Sequence, residues 1–209
     1  MWVLVLAACK DDGAAAKQPP PAPPAKLAGV YPDKWKCESA VSLDMLGSVL
    51  GGPARPIDSP ITVPAGVPHP CNYEVTAPDN SLEYWTFDVD CRDGMKARAD
   101  ALFAQYKQTS QDLIDQYDAA KAAAKPAKPA RHGKGSAEPE VAPPQPATEV
   151  DVGAKGLDHH GQGLIFIDDD APCYVRVVGK DAARRLALAR VLAKNLTFDN
   201  APMTPRAAK

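Results

Sequence analysis

Proline decides where this chain can fold. Of its 22 prolines among 209 residues, eleven fall in two biased stretches, so the foldable part is shorter than the total length implies. Residues 13–29 are mostly Ala, Pro, Lys and Gln, including the run Gln18-Pro19-Pro20-Pro21-Ala22-Pro23-Pro24. Such a stretch buries no apolar surface and favours an extended polyproline conformation. It reads as a semi-rigid stalk over residues 10–30. The second stretch, residues 122–147, has repeated Lys-Pro and Pro-Pro steps. Its first half is basic (Lys125, Lys128, Arg131, Lys134) and its second half acidic (Glu138, Glu140). It lacks apolar periodicity and reads as a disordered insertion. Neither flank carries a complete core, so the expectation is one domain, residues 31–205, interrupted by that insertion. Loop closure tolerates this, since each doubling of loop length costs only about 0.6 kcal/mol.

The N-terminus reads Met1-Trp2-Val3-Leu4-Val5-Leu6-Ala7-Ala8-Cys9. A short apolar run ends in small residues before a cysteine, as in a signal peptide with its cleavage region. The run is too short to span a bilayer, which takes about 20 residues. No Lys or Arg precedes it. Leu6-Ala7-Ala8-Cys9 resembles the bacterial lipobox, which implies a signal peptide and lipobox over residues 1–9, a lipid on Cys9, cleavage just ahead of that cysteine so that it becomes the mature N-terminus, and a membrane partner reached through the lipid.

The formal charge of -2 and the pI of about 6.1 argue against nucleic acid as a partner, because phosphate binding needs a basic surface. Five cysteines are an odd number. With Cys9 set apart, Cys37, Cys71, Cys91 and Cys173 remain inside the foldable segments, and no C-x-x-C pair supports zinc or a thioredoxin-like motif. In an oxidising compartment four such cysteines read as two disulfides, with three connectivities open. Physical reasoning prefers Cys37–Cys71, which closes a Pro-rich loop, and Cys91–Cys173, which joins the two halves. In the chain-entropy account the longer bridge contributes about 4 kcal/mol.

Residues 42–50 have helical spacing, with Ser42 as N-cap and Gly51-Gly52 as stop. A Pro-rich loop follows to Pro70. Residues 71–76 read as a short strand. Residues 81–91 are the clearest strand, with Trp85, Phe87, Val89 and Cys91 on one face and Tyr84, Thr86, Asp88 and Asp90 on the other. A long helix runs to about Lys121 on a stripe of Met95, Ala99, Leu102, Tyr106, Leu113 and Tyr117. After the insertion, residues 149–152 suggest a strand, and residues 164–168 and 173–178 a hairpin. The last helix covers residues 181–196, with Ala182, Leu186, Ala189, Ala193 and Leu196 inside and Arg184, Arg185 and Lys194 outside. The expected class is α+β, an antiparallel sheet with helices packed on it.

The lipobox, the Pro/Ala stalk, Cys37 before a short helix ending Leu46-Gly47, Cys71-Asn72-Tyr73 opening a strand, and the Ala187–Ala193 region of the last helix together resemble a family of bacterial surface lipoproteins of unknown function, best known from actinobacteria. The resemblance implies an envelope location and brings no catalytic residues or cofactor.

The segment with most chemical potential is Asp158-His159-His160, with Asp168-Asp169-Asp170 nearby in sequence. Imidazoles and carboxylates bind divalent metals or act as acid and base. Gly156, Gly161 and Gly163 place the histidines in a loop on this reading. The competing account is a polar connection followed by an acidic hairpin turn, where Asp suits the geometry. No nucleophile elbow and no phosphate loop is present. The sequence therefore leads to a lipid-anchored envelope lipoprotein, periplasmic or surface-facing. It is a non-enzymatic module for a small ligand or another envelope protein. The alternative is a metal-dependent envelope enzyme or metal-binding protein built on His159, His160 and Asp168.

Overall fold

The computed structural model describes residues 26–58, 70–123, 143–159 and 163–207. In chain order the elements are β1 (Leu27–Ala28), α1 (Leu43–Leu50), β2 (Ala54–Pro56), β3 (Pro70–Thr76), β4 (Leu82–Asp90), α2 (Met95–Ala123), β5 (Thr148–Val150), β6 (Lys155–His159), β7 (Gly163–Ile167), β8 (Tyr174–Val178), α3 (Ala182–Asn195) and β9 (Arg206–Ala207). Seven strands form one antiparallel sheet in the order β2-β3-β4-β8-β7-β6-β5, and β1 pairs separately with β9. The class is α+β, with helices on both faces of the sheet.

Strand alternation divides the two faces. Cys71, Tyr73 and Val75 of β3, Trp85, Phe87 and Val89 of β4, Leu164 and Phe166 of β7, and Val175 and Val177 of β8 all join one large apolar cluster. Leu46 and Leu50 of α1 and Leu188, Ala189 and Leu192 of α3 close that cluster from above. The opposite face carries a smaller cluster. There Leu157, Ile165 and Ile167 meet Ala99 and Phe103 of α2. The sheet is therefore the middle layer of three.

Local chemistry sets the helix ends. Ser42 accepts a hydrogen bond from the Met45 N–H, and Gly51 ends α1 in the left-handed region at φ 80°, where an L side chain is strained. Asp181 caps α3 by accepting from the Arg184 N–H at 2.8 Å. The disulfides join Cys37 to Cys71 and Cys91 to Cys173, the partners argued above. The second bridge lies just past the Asp90–Tyr174 pair of the β4–β8 ladder, so it fastens the centre of the sheet.

Several elements depart from the sequence expectations. Leu27–Ala28 is a strand paired with Arg206–Ala207, and Val30 bridges Pro202, so regular structure reaches into the expected stalk and past Pro205. At the insertion, Ala122 and Ala123 belong to α2, the Ser110 hydroxyl donates to the Gln145 carbonyl at 3.0 Å, and Ala147 packs on the smaller cluster. The Pro-rich loop contains β2, paired with β3. Residues 155–159, expected as a Gly-rich loop, form β6 between β5 and β7. Arg185 is buried rather than outward. Its guanidinium reaches Asp158 of β6 at 2.9 Å and the Gly179 carbonyl at 2.6 Å. Residues 1–25 with Cys9, residues 124–142 and His160 lie outside the described residues. No helix among the described residues is long and apolar enough to cross a membrane.

Candidate functional site

Two sites need to be placed: the one the sequence singled out, and one that only the assembled sheet reveals. In β6 the odd positions face α2 and the even positions face α3. Lys155 lies over the Phe103 ring, and its ammonium meets Asp100 at 2.6 Å. His159 packs edge-on to Tyr106, with ring centroids 6.0 Å apart. Asp158 points the other way, into its ion pair with Arg185. Asp158 and His159 therefore leave opposite faces of one strand, as the period of two requires.

Asp168 sits at the far end of the adjacent strand. His159 is paired with Gly163 and Lys155 with Ile167, so Asp168 lies roughly 13 Å or more along the sheet from His159 at about 3.3 Å per residue. Its Oδ1 accepts the N–H groups of Asp170 at 3.0 Å and Ala171 at 2.7 Å, the arrangement of an Asx-type turn. Burial raises the Asp168 carboxyl to about 6, against the pull of those two hydrogen bonds. The structure thus does not bring Asp158, His159 and Asp168 together. Among the described residues no cluster of three or more His, Cys, Asp or Glu is placed to hold a metal ion.

The second site lies between α2 and the middle of the sheet. Asp88 of β4 stands directly across from Arg176 of β8 on the face that α2 covers, and Asp90 stands across from Tyr174. Arg176 donates from Nε at 2.9 Å and from Nη2 at 2.6 Å, both to Oδ2 of Asp88. Both side chains are more than nine-tenths buried. Burial raises the Asp88 carboxyl above its ordinary range, while the Arg176 charge and hydrogen bonds oppose the rise. Asp88 Oδ1 has no hydrogen-bond partner among the described residues.

Asp88 and Arg176 line a cavity of about 200 Å³ together with Asp90, Met95, Leu102, Tyr106 and Tyr174. Asp90 is held by Arg92, whose Nε donates to Oδ1 at 2.9 Å. The Tyr174 phenol is pushed well above its ordinary range, first by burial and then by the Tyr106 phenol beside it, so it stays neutral. The arrangement is a half-open, largely apolar recess with one buried ion pair in its wall. That is the general form of a small-ligand site.

Alternation in the sequence puts Asp88 and Asp90 on the face of β4 opposite Trp85, Phe87 and Val89, and does not show that α2 covers that face. A signal was present in Met95, Leu102 and Tyr106. They form a stripe on a helix that follows β4 directly and needs a sheet face to cover. Compared with protein families, with curated proteins and with solved structures, the chain matches none.

Proposed function

We propose that this chain is a lipid-anchored lipoprotein of a bacterial cell envelope, whose folded domain is a non-enzymatic module that binds a small ligand or another envelope protein. The observation that carries the reading is the pair of disulfides, which take up Cys37, Cys71, Cys91 and Cys173. Bridges of this kind form and persist in oxidising compartments and are rare in the cytosol. Their use of four cysteines leaves Cys9, in its lipobox-like setting, as the thiol for the lipid. The recess under α2 supports the binding part of the proposal, since a pocket with a few convergent polar groups is the usual form of such a site. One membrane-fraction experiment tests the anchor. Expressed in a bacterial host behind a complete signal peptide, the chain incorporates labelled fatty acid and enters the detergent phase, and Cys9→Ser abolishes both. Equal labelling and partitioning of the Cys9→Ser chain would remove the proposal.

A further inference from the structure

We propose that the cavity under α2 binds a small organic cation, a primary ammonium on a compact apolar body, whose head reaches the unpartnered oxygen of Asp88. The inference deepens the binding-module reading and is independent of the lipid anchor. It begins at the wall of the cavity. Asp88 is 3% exposed, lines the open volume, and carries one oxygen that meets no donor among the described residues. An acceptor buried in that state is costly, the more so when charged. A donor supplied from the cavity side offsets that cost.

The sign of the lining then selects the ligand. Asp88 and Asp90 face the cavity against the single cation Arg176, and Arg176 already commits Nε and Nη2 to Oδ2 of Asp88. Arg92, which neutralises Asp90, is 59% exposed and is not part of the lining. Each carboxylate has a guanidinium partner, but Asp88 keeps an acceptor oxygen without a donor among the described residues, which in a poorly solvated recess favours a donor-bearing cation and disfavours an anion. An ammonium also supplies the hydrogen-bond donors that Oδ1 lacks. The remaining walls are Met95, Leu102 and the rings of Tyr106 and Tyr174. These present hydrocarbon and aromatic surface to an apolar body and favour a nearby cation. A volume of about 200 Å³ restricts that body to one ring or a short branched chain.

Three probes with the same ring and different heads test this: phenethylammonium, 2-phenylethanol and phenylacetate. Each is titrated calorimetrically at neutral pH into the full chain carrying Cys9→Ser. Phenethylammonium is expected to bind saturably, at least about tenfold more tightly than the alcohol, and phenylacetate to give no binding heat. Asp88→Asn should weaken the cation by about tenfold or more and narrow its advantage over the alcohol. Because that variant strands Arg176 and is at risk of misfolding, Leu102→Trp serves as the second. It fills the cavity from the half-buried rim of α2 without touching the ion pair, and should abolish binding. Phenylacetate binding as tightly as the cation, cation binding untouched by Leu102→Trp, or no heat from any probe would each overturn the proposal. The last result would describe a cavity that holds only water. Since the titrated chain lacks the Cys9 thiol, none of these outcomes bears on the anchor, which fatty-acid labelling decides separately.

Discussion

Asp168 has no exposed surface, and its Oδ2 has no partner among the described residues. Burial pushes its carboxyl up to about 6, and the neighbouring charges of Asp169 and Asp170 add to the rise. A carboxyl whose folded pKa lies above its unfolded value favours the folded state most when protonated. Its contribution is therefore full below about pH 4, falls as pH rises through about 6, and is flat beyond. Asp168→Asn keeps the oxygen that accepts from Asp170 and Ala171 and removes the titration. Urea unfolding of both chains between pH 4 and 7 should show the wild type losing more stability than the variant, by on the order of 1–3 kcal/mol. Identical pH slopes would mean that the Asp168 carboxyl is not raised. The turn geometry at this residue was readable from Asp168-Asp169-Asp170 followed by Pro172, because that preference is local. The metal cluster imagined around it was not a local matter. It required Asp158 and His159 to share a direction, and strand pairing sends them to opposite faces.

Helix α2 is 29 residues long, roughly 43 Å at 1.5 Å per residue, but its burial is uneven. Met95, Ala99, Phe103 and Ser110 are buried, and no residue from Gln111 to Ala123 is. The first half therefore belongs to the sheet, while the second projects past it. Phe103→Ala should cost about 3–5 kcal/mol, because it empties the centre of the smaller cluster. Leu113→Ala, at a side chain 41% exposed, should stay within about 0.5 kcal/mol. Chemical denaturation measures both, and comparable losses would place the buried face elsewhere. The helix itself was legible from its periodicity, as were β4 from its alternation, α1 from its Ser42 cap and Gly51-Gly52 stop, and α3 from its apolar spacing. Three features resisted. The sequence stripe ran through Leu102 and on to Leu113 because periodicity shows which residues are apolar, not how far the partner surface extends. β6 was hidden by glycine and by Asp158, a charge that sits inward only because Arg185 of α3 answers it. The Asp88–Arg176 pair spans 88 residues of sequence, so neither strand alone announces that its polar face is covered.

At the scale of the whole molecule, the main joins between the two flanks of residues 124–142 meet at the centre of one sheet. β4 pairs with β8 from Thr86↔Val178 to Asp90↔Tyr174, the Cys91–Cys173 bridge closes the end of that ladder, and α1 packs against α3 over the large cluster. The β1–β9 pair ties the outer ends as well. Cutting the chain within residues 124–142 should therefore leave the fold intact. An engineered protease site there, fully cleaved, is expected to give one species on a sizing column and one cooperative unfolding transition. The two fragments should run as one band without reductant and as two with it. Before cleavage the Cys91–Cys173 bridge, with a sequence separation of 82, restricts the unfolded chain by about 4 kcal/mol in the entropic account. After cleavage it is the covalent link between the halves. Reducing the cut protein under native conditions should thus convert a unimolecular transition into one whose midpoint rises with protein concentration, as mass action requires of an assembly of two chains. Fragments that separate after reduction, each with its own cooperative transition, would show two domains where the sheet describes one.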